Sequence, residues 1–364
     1  MQSRIAFSSL RSLTPALANS IIERVGSEEN FFALSESQLS AAMGFKNRLF
    51  TASARDEAMQ QAQKEVAFIE SSSISCLYFR DEAYPQRLLQ CEDAPLMLYG
   101  IGDCDLNSRH VISVVGTRHA TVYGIEFVNR LISELAEILP DKPIIVSGLA
   151  YGIDIAAHRA ALKAGLPTVA VLAHGLNTIY PSQHRSVAVD MVRNKGMLLT
   201  DYRSSAVIHK GNFLARNRIV AGLADSLIVV ESATKGGALV TARLASGYNR
   251  DVFALPGRIT DKFSAGCNSL ISNHIAGVVT SASDLCRQMG WPTTEASGEA
   301  PALFEPLTDE EQAVIDIMTD RGEVSLQELT ARIDIPTPRL MAMLIDMEFR
   351  SLILNMPGGR YRPR

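Results

Sequence analysis

Short β-branched apolar runs spaced along residues 110–290 constrain the fold more than any other feature of the chain. They read VISVVG, IIVSG, TVAVLA, GMLLT, SLIVVE, DVFALPG and GVVT, with amphipathic segments between them. A short apolar run bounded by glycine, proline or charge suits a strand buried on both faces. Strands that alternate with helical stretches need crossover connections, which makes a mostly parallel sheet with helices on both faces. The expectation for 110–290 is therefore an α/β domain built on a mostly parallel sheet.

The flanks have a different texture. Residues 1–70 read as a small all-helical module, with helices expected over 14–25, 35–42 and 52–69 and turns at Gly26 and Gly44. Thr14 before Pro15 is a helix-start pair, a capping side chain followed by proline at the first helical position. Residues 71–109 read as a connector leading into the sheet domain. Residues 291–306, WPTTEASGEAPALFEP, lack an apolar period and read as a linker. Beyond it, 307–364 offers helices over 309–319, 325–333 and 337–349, then LILNMPGGRYR as two strands around a Pro-Gly-Gly turn, which is the layout of a winged helix.

Charge and cysteine content narrow the chemistry. The formal net charge is −4 and the pI about 6.0, so a nucleic-acid binder would need a local basic patch. Five cysteines are scattered and never paired as C-x-x-C, which disfavours a disulfide framework and a zinc site. No long apolar run suggests a membrane span and MQSRIAFSSLRSLTP lacks a secretory layout, so the chain is expected in the cytoplasm.

Four loops carry candidate chemistry. Gly116-Thr117-Arg118 follows the first run and opens a helix whose free first-turn amides would suit a phosphate. The same letters fit a tight turn with a solvated arginine. The spacing is not G-x-G-x-x-G and no acid ends the second run, so a dinucleotide cofactor is not expected, nor any other cofactor. After the second run, Gly148 opens SGLAYGID, with Asp154 and His158 one helical turn apart. That spacing permits an acid/base or metal pair, although a buried histidine bonded to a helix-capping aspartate explains it better. Residues 209–218, HKGNFLARNR, hold Lys210, Phe213, Arg216, Asn217 and Arg218. Cations beside a stacking ring suit single-stranded nucleic acid, and equally a core phenylalanine with arginines bonded to loop carbonyls. Finally Lys235-Gly236-Gly237 leads from a strand into another helix. All four loops would meet at the C-terminal strand ends, where open α/β sheets hold ligands.

Taken together, GTRHATVYG, SGLAYGIDIAAHRAAL, Tyr180-Pro181, FLARNRIVAGLADSLIVVE, GGALVTARLA and VFALPG resemble, in order, the DNA-processing protein A family (DprA, also called Smf). The N-terminal module looks like that family's SAM-like or helix-hairpin-helix-like domain, and the C-terminal unit like its optional winged helix. The resemblance implies an extended Rossmann-like fold for 110–290 and a homodimer that captures and protects incoming single-stranded DNA and helps load the RecA recombinase in natural transformation, with no catalytic residue. Carried over by motif, it implies phosphate contacts from Arg118, Lys210 and the amides around Gly116, Thr117 and Gly148. It also implies base stacking on Phe213 and a pocket shaped by Arg216, Asn217 and Arg218. Gly236 and Gly237 would let the DNA backbone approach, with Lys235 as an added cation. The chain departs from the family pattern at Ala173-His174-Gly175, at Asp201 in place of the commoner Glu, and at Lys235–Ala238.

Two other readings compete. Related folds include lysine-decarboxylase-like phosphoribohydrolases, but TKGGAL lacks the proline and the Gly-Thr pair of their Pro-Gly-Gly-x-Gly-Thr loop. A duplex-reading winged-helix regulator is the other. Between Glu305 and Arg364, however, 11 acids face 7 arginines and no lysine, a poor docking surface for a polyanion. That unit is expected to bind protein, or to assist DNA binding only weakly.

Overall fold

The computed structural model describes residues 1–294, 307–350, 352–356 and 359–363. Contacts divide the chain into two units, Met1–Thr294 and Glu295–Arg364.

The first unit begins with helices α1 (Gln2–Ser8), α2 (Pro15–Val25), α3 (Glu28–Ala33), α4 (Glu36–Met43) and α5 (Ala52–Glu70). Local chemistry sets their starts. Thr14 accepts from the Leu17 amide with Pro15 in the first turn, Ser27 caps α3, and Ser35 with Gln38 forms a reciprocal capping box. Phe7, Phe31 and Phe50 meet edge to face at their centre. Short α1 and α3 escaped the sequence reading because six or seven residues give too little periodicity.

The sheet follows as β1 (Ser75–Tyr78), α6 (Gln86–Leu89), β2 (Met97–Gly102), β3 (Val111–Val115), α7 (Val122–Ile138), β4 (Ile144–Ser147), α8 (Ile153–Lys163), β5 (Thr168–Val171), α9 (Arg185–Arg193) and β6 (Met197–Thr200). It continues through α10 (Lys210–Leu223), β7 (Ser226–Val229), α11 (Gly237–Gly247), β8 (Asp251–Ala254), α12 (Ala265–Ser272), β9 (Gly277–Val278) and α13 (Ala282–Met289). All seven apolar runs become strands. The order is β1-β2-β6-β5-β4-β3-β7-β8-β9, parallel from β6 to β9 and antiparallel where β1 and β2 join. The chain runs outward from β3 to β6, then returns to β7 on the other flank of β3, so the strand order reverses at β3.

Residues 71–109, read from the sequence as a connector, supply those two antiparallel strands. β2 (MLYGIG) is interrupted by Gly100 and Gly102, which hides its strand character. Gly102 is required there: its φ is +123°, and a Cβ would lie 2.1 Å from the Gly196 carbonyl oxygen. The helical module also packs on the sheet within the same unit. One apolar core runs from Ile5 and Phe31 through Tyr99 to Val229, and Arg4 pairs with Asp81 at 3.0 Å.

In the second unit, α14 (Asp309–Arg321), β10 (Val324–Ser325), α15 (Leu326–Thr330), α16 (Thr337–Phe349), β11 (Ile353–Met356) and β12 (Arg360–Pro363) form a winged helix with sheet order β10-β12-β11. The short β10 was not expected. Pro357 and Gly358 of the expected hairpin turn, and most of the expected linker, lie outside the described residues. No described helix is long and apolar enough to cross a membrane.

Candidate nucleic-acid interface

Parallel strands put the N-termini of α7, α8, α10 and α11 at one sheet edge, so the four loops read from the sequence do gather there. The loops after β3, β4 and β7 are laced together. The Thr117 amide donates to the Glu231 carbonyl at 2.7 Å and the Ile153 amide to the Thr117 carbonyl at 3.1 Å. Gly116 makes this possible, since a Cβ there would stand 2.5 Å from the Ile153 side chain.

Two buried carboxylates occupy the positions where phosphates were expected. Glu231 accepts from the amide and hydroxyl of Thr121 at the start of α7. It packs so tightly under that helix that a Cβ on Gly124 would meet it at 2.5 Å. Asp154 takes the amides of Gly148 and Ala150. Burial pushes its carboxyl up from the ordinary range, against the opposing pull of the Arg216 charge and those amides. The Thr117 amide is thus bonded within the chain, and the Gly148 amide lies beside the Asp154 carboxyl. A carboxylate at a helix N-terminus meets the same need as a phosphate.

His158 does not bond Asp154. Its Nδ1 lies 2.7 Å from the Thr168 hydroxyl, which itself donates to the Ile145 carbonyl. The ring must therefore be the donor, with the proton on Nδ1, and burial pushes its pKa down to about 3. The acid/base spacing seen in the sequence is a core arrangement. Among the described residues no cluster of three or more His, Cys, Asp or Glu could hold a metal ion.

The arginines of α10 divide by role. Arg216 is only 4% exposed; its Nη1 donates to the carbonyls of Gly148 and Val171 and its Nε to Asn217 Oδ1. The guanidinium fills the space over Gly148, where a Cβ would meet it at 2.5 Å. Arg218 pairs with Asp201 at 2.5 Å and donates to the Asp93 carbonyl. Asn217 reaches the Gly237 carbonyl at 3.5 Å, tying α10 to α11. These three residues hold the loops in place.

Other side chains face solvent. The Arg118 guanidinium lies 5.4 Å above the half-buried Phe213 ring, and Tyr180 meets that ring edge-on at 5.8 Å. The Tyr180 amide donates to His174 Nε2 at 3.2 Å, which anchors the tyrosine. Lys210 opens α10 and Lys235 precedes α11; both are exposed. Neither they nor Arg118 takes part in an ion pair among the described residues. α11 starts at Gly236 with no capping side chain, unlike α7. Gly236 is needed because a Cβ would meet Ser232 Oγ at 2.7 Å, whereas at Gly237 a Cβ would meet only Asn217 Nδ2, at an ordinary contact distance of 3.9 Å. The sequence reading left Tyr180 without a role; an exposed aromatic in the loop between β5 and α9 was the available signal.

Comparison with known proteins matches the sheet region. The family model for DNA recombination-mediator protein A matches residues 75–290, and the DprA winged helix domain model matches 298–359. Protein Smf of Escherichia coli is 33% identical over 84% of this chain and 85% of its own length. The crystal structure of DNA processing protein A from Streptococcus pneumoniae superposes with a TM-score of 0.64 at 31% identity, covering 79% of this chain and 98% of that one. A Helicobacter pylori DNA processing protein A, whose structure is described for its single-stranded DNA binding mode, gives 0.52 at 30% identity over 59% of this chain and 95% of that one. With more than half its residues matched by one family model, and the same fold in solved relatives, this chain belongs to the DNA-processing protein A (DprA/Smf) family.

Proposed function

We propose that this protein binds single-stranded DNA along the C-terminal edge of its sheet and, as a homodimer in the cytoplasm, protects incoming strands and helps load RecA in natural transformation. The observation that carries the DNA reading is the Arg118–Phe213–Tyr180 cluster, with Arg118 and Tyr180 exposed, flanked by Lys210 and Lys235, which have no ion pair among the described residues, and by the uncapped start of α11. A ring offers a stacking face to any base and the cations follow the phosphates, so sequence preference is not needed. Gly236 and Gly237 admit the DNA backbone at α11. Gly116, Thr117, Gly148, Arg216, Asn217 and Arg218 serve by fixing the loop geometry. The single-strand binding described for the Helicobacter pylori relative supports this reading, and family membership supports the RecA role. The protein needs no catalytic step for this, and His158 is committed to Thr168.

The winged-helix unit contacts protein in this proposal. Its α16 carries Met341, Ile345 and Phe349 exposed on one face, Phe349 at 85%. Arg339 on the same helix is paired with Glu310 at 2.8 Å.

The test is a titration of labelled oligo-dT and a duplex of equal length at two salt concentrations, with Lys210→Ala in parallel. The expected result is single-strand preference that weakens with salt, with the variant losing about 0.7 of a unit in log–log salt slope, the share of one phosphate. Equal binding to duplex would refute the proposal.

A further inference from the structure

We propose that the cleft between the N-terminal helices and the sheet edge is a second phosphate-binding stretch, which takes the same single strand onward from the Phe213 groove. The inference rests on the single-strand reading of that groove.

The loop after β6, residues 201–209, joins the two places: Arg203 sits near its start and Lys210 directly follows its end. At Gly175 this loop lies against the one after β5, where a Cβ would stand 2.4 Å from the Arg203 carbonyl oxygen. Ser204 then latches the loop to the helical module. Its amide donates to both oxygens of the buried Glu65 carboxylate on α5, at 2.9 and 3.0 Å, and its hydroxyl to one of them at 2.7 Å.

Beside this latch lies a cleft of about 630 Å³ whose lining includes Arg11, Arg48, Arg203, Asn47, Glu57 and Gln61. Three arginines thus come from three separate segments. None of them has an ion pair among the described residues. Glu57 is the single acid in the lining, and its carboxylate accepts from Gln61. Arg203 Nη1 is buried without any hydrogen-bond partner. Three cations against one acid leave the cleft with an excess of positive charge, and guanidinium forks match phosphate oxygens.

Continuity selects a strand over a free phosphate compound. β6 stands three places from β3 in the sheet, about 14 Å at the usual strand spacing. A strand that leaves Phe213 and follows the loop ends toward β6 arrives at Arg203, with Arg11 and Arg48 beyond it on the helical module.

The experiment uses the full chain and oligo-dT of about 6 and about 16 nucleotides, within the range of known single-strand site sizes, read by fluorescence anisotropy across a salt series. Arg11→Ala/Arg48→Ala is the test variant. Both side chains are exposed, so unfolding curves should match wild type. Wild type should bind the longer strand more tightly. The double variant should lose that advantage and about 1.4 units of log–log salt slope, two phosphates at about 0.7 each, while binding the short strand as wild type does. Lys210→Ala should weaken both lengths. If the double variant keeps wild-type affinity and slope on the longer strand, or weakens both lengths equally, the second stretch does not exist. If Lys210→Ala changes neither length while the double variant still loses the length advantage, the groove is misplaced and the cleft stands.

Discussion

Replacing Arg216 by methionine separates an arginine that holds the loops from one that holds DNA. The side chain is 4% exposed and its Nη1 donates to two buried carbonyls, those of Gly148 and Val171. Its charge also acts on buried Asp154. A hydrogen bond from a charged donor contributes about 1.5–3 kcal/mol, and removing one member of a buried charge arrangement costs about 3–5 kcal/mol. Arg216→Met should therefore destabilise the first unit by about 3–5 kcal/mol, since these losses overlap rather than add. Urea unfolding followed by fluorescence suits the question. Trp291 is the only tryptophan in the chain, and its ring lies 4.4 Å from that of His110, packed in the first unit. The control is Arg118→Met, exposed and free of ion pairs, which should keep its midpoint within about 0.5 kcal/mol while losing DNA affinity. If Arg216→Met unfolds as wild type does but loses DNA binding, the division between structural and DNA-facing arginines is wrong.

Phe213→Ala should cost about 1–3 kcal/mol of oligo-dT affinity with an unchanged salt slope, because stacking releases no counterions; a changed slope would place the ring elsewhere. His158 gives a pH signature. Its folded pKa of about 3 is below the ordinary 6.5, so the unfolded chain binds the extra proton between those values and stability falls as pH drops through that window. The loss should be about 2 kcal/mol between pH 7 and pH 5, and His158→Gln should remove it from a pH series of urea midpoints. Gly152 has φ +78° and a Cβ there would lie 2.1 Å from the Thr117 carbonyl oxygen, so Gly152→Ala should cost about 2 kcal/mol or more. Gly237→Ala, whose methyl would meet only Asn217 Nδ2 at 3.9 Å, should leave the unfolding midpoint unchanged.

The parallel sheet was legible because fully buried strands leave unbroken β-branched runs, and all seven became strands. β1 and β2 were not, since SCLY and MLYGIG are short, half-polar or glycine-broken, and their pairing comes from neighbours distant in sequence. The basic stretch 209–218 falls at the start of α10, but its letters do not give the direction each cation faces. On α10, Arg216 turns inward to the β4 and β5 carbonyls and Arg218 to Asp201, while Lys210 stays in solvent. That sorting depends on helix rotation against the sheet, a tertiary property. The glycine loops were located correctly, yet nothing in the letters shows that Glu231 and Asp154 fold back onto their amides. A carboxylate contributed 110 residues away from Thr121 has no local signature.

Those two carboxylates also bear on competition inside a cell. The deepest amides, where a lone nucleotide would find its strongest hold, already have carboxyl partners from the chain itself. A free mononucleotide would therefore be left with the shallow, solvent-facing contacts. A polymer adds many such contacts, each an intramolecular event once the first has formed. If the edge binds single strands as proposed, the buried acids would act as a filter on chain length, favouring long strands amid an excess of their monomers.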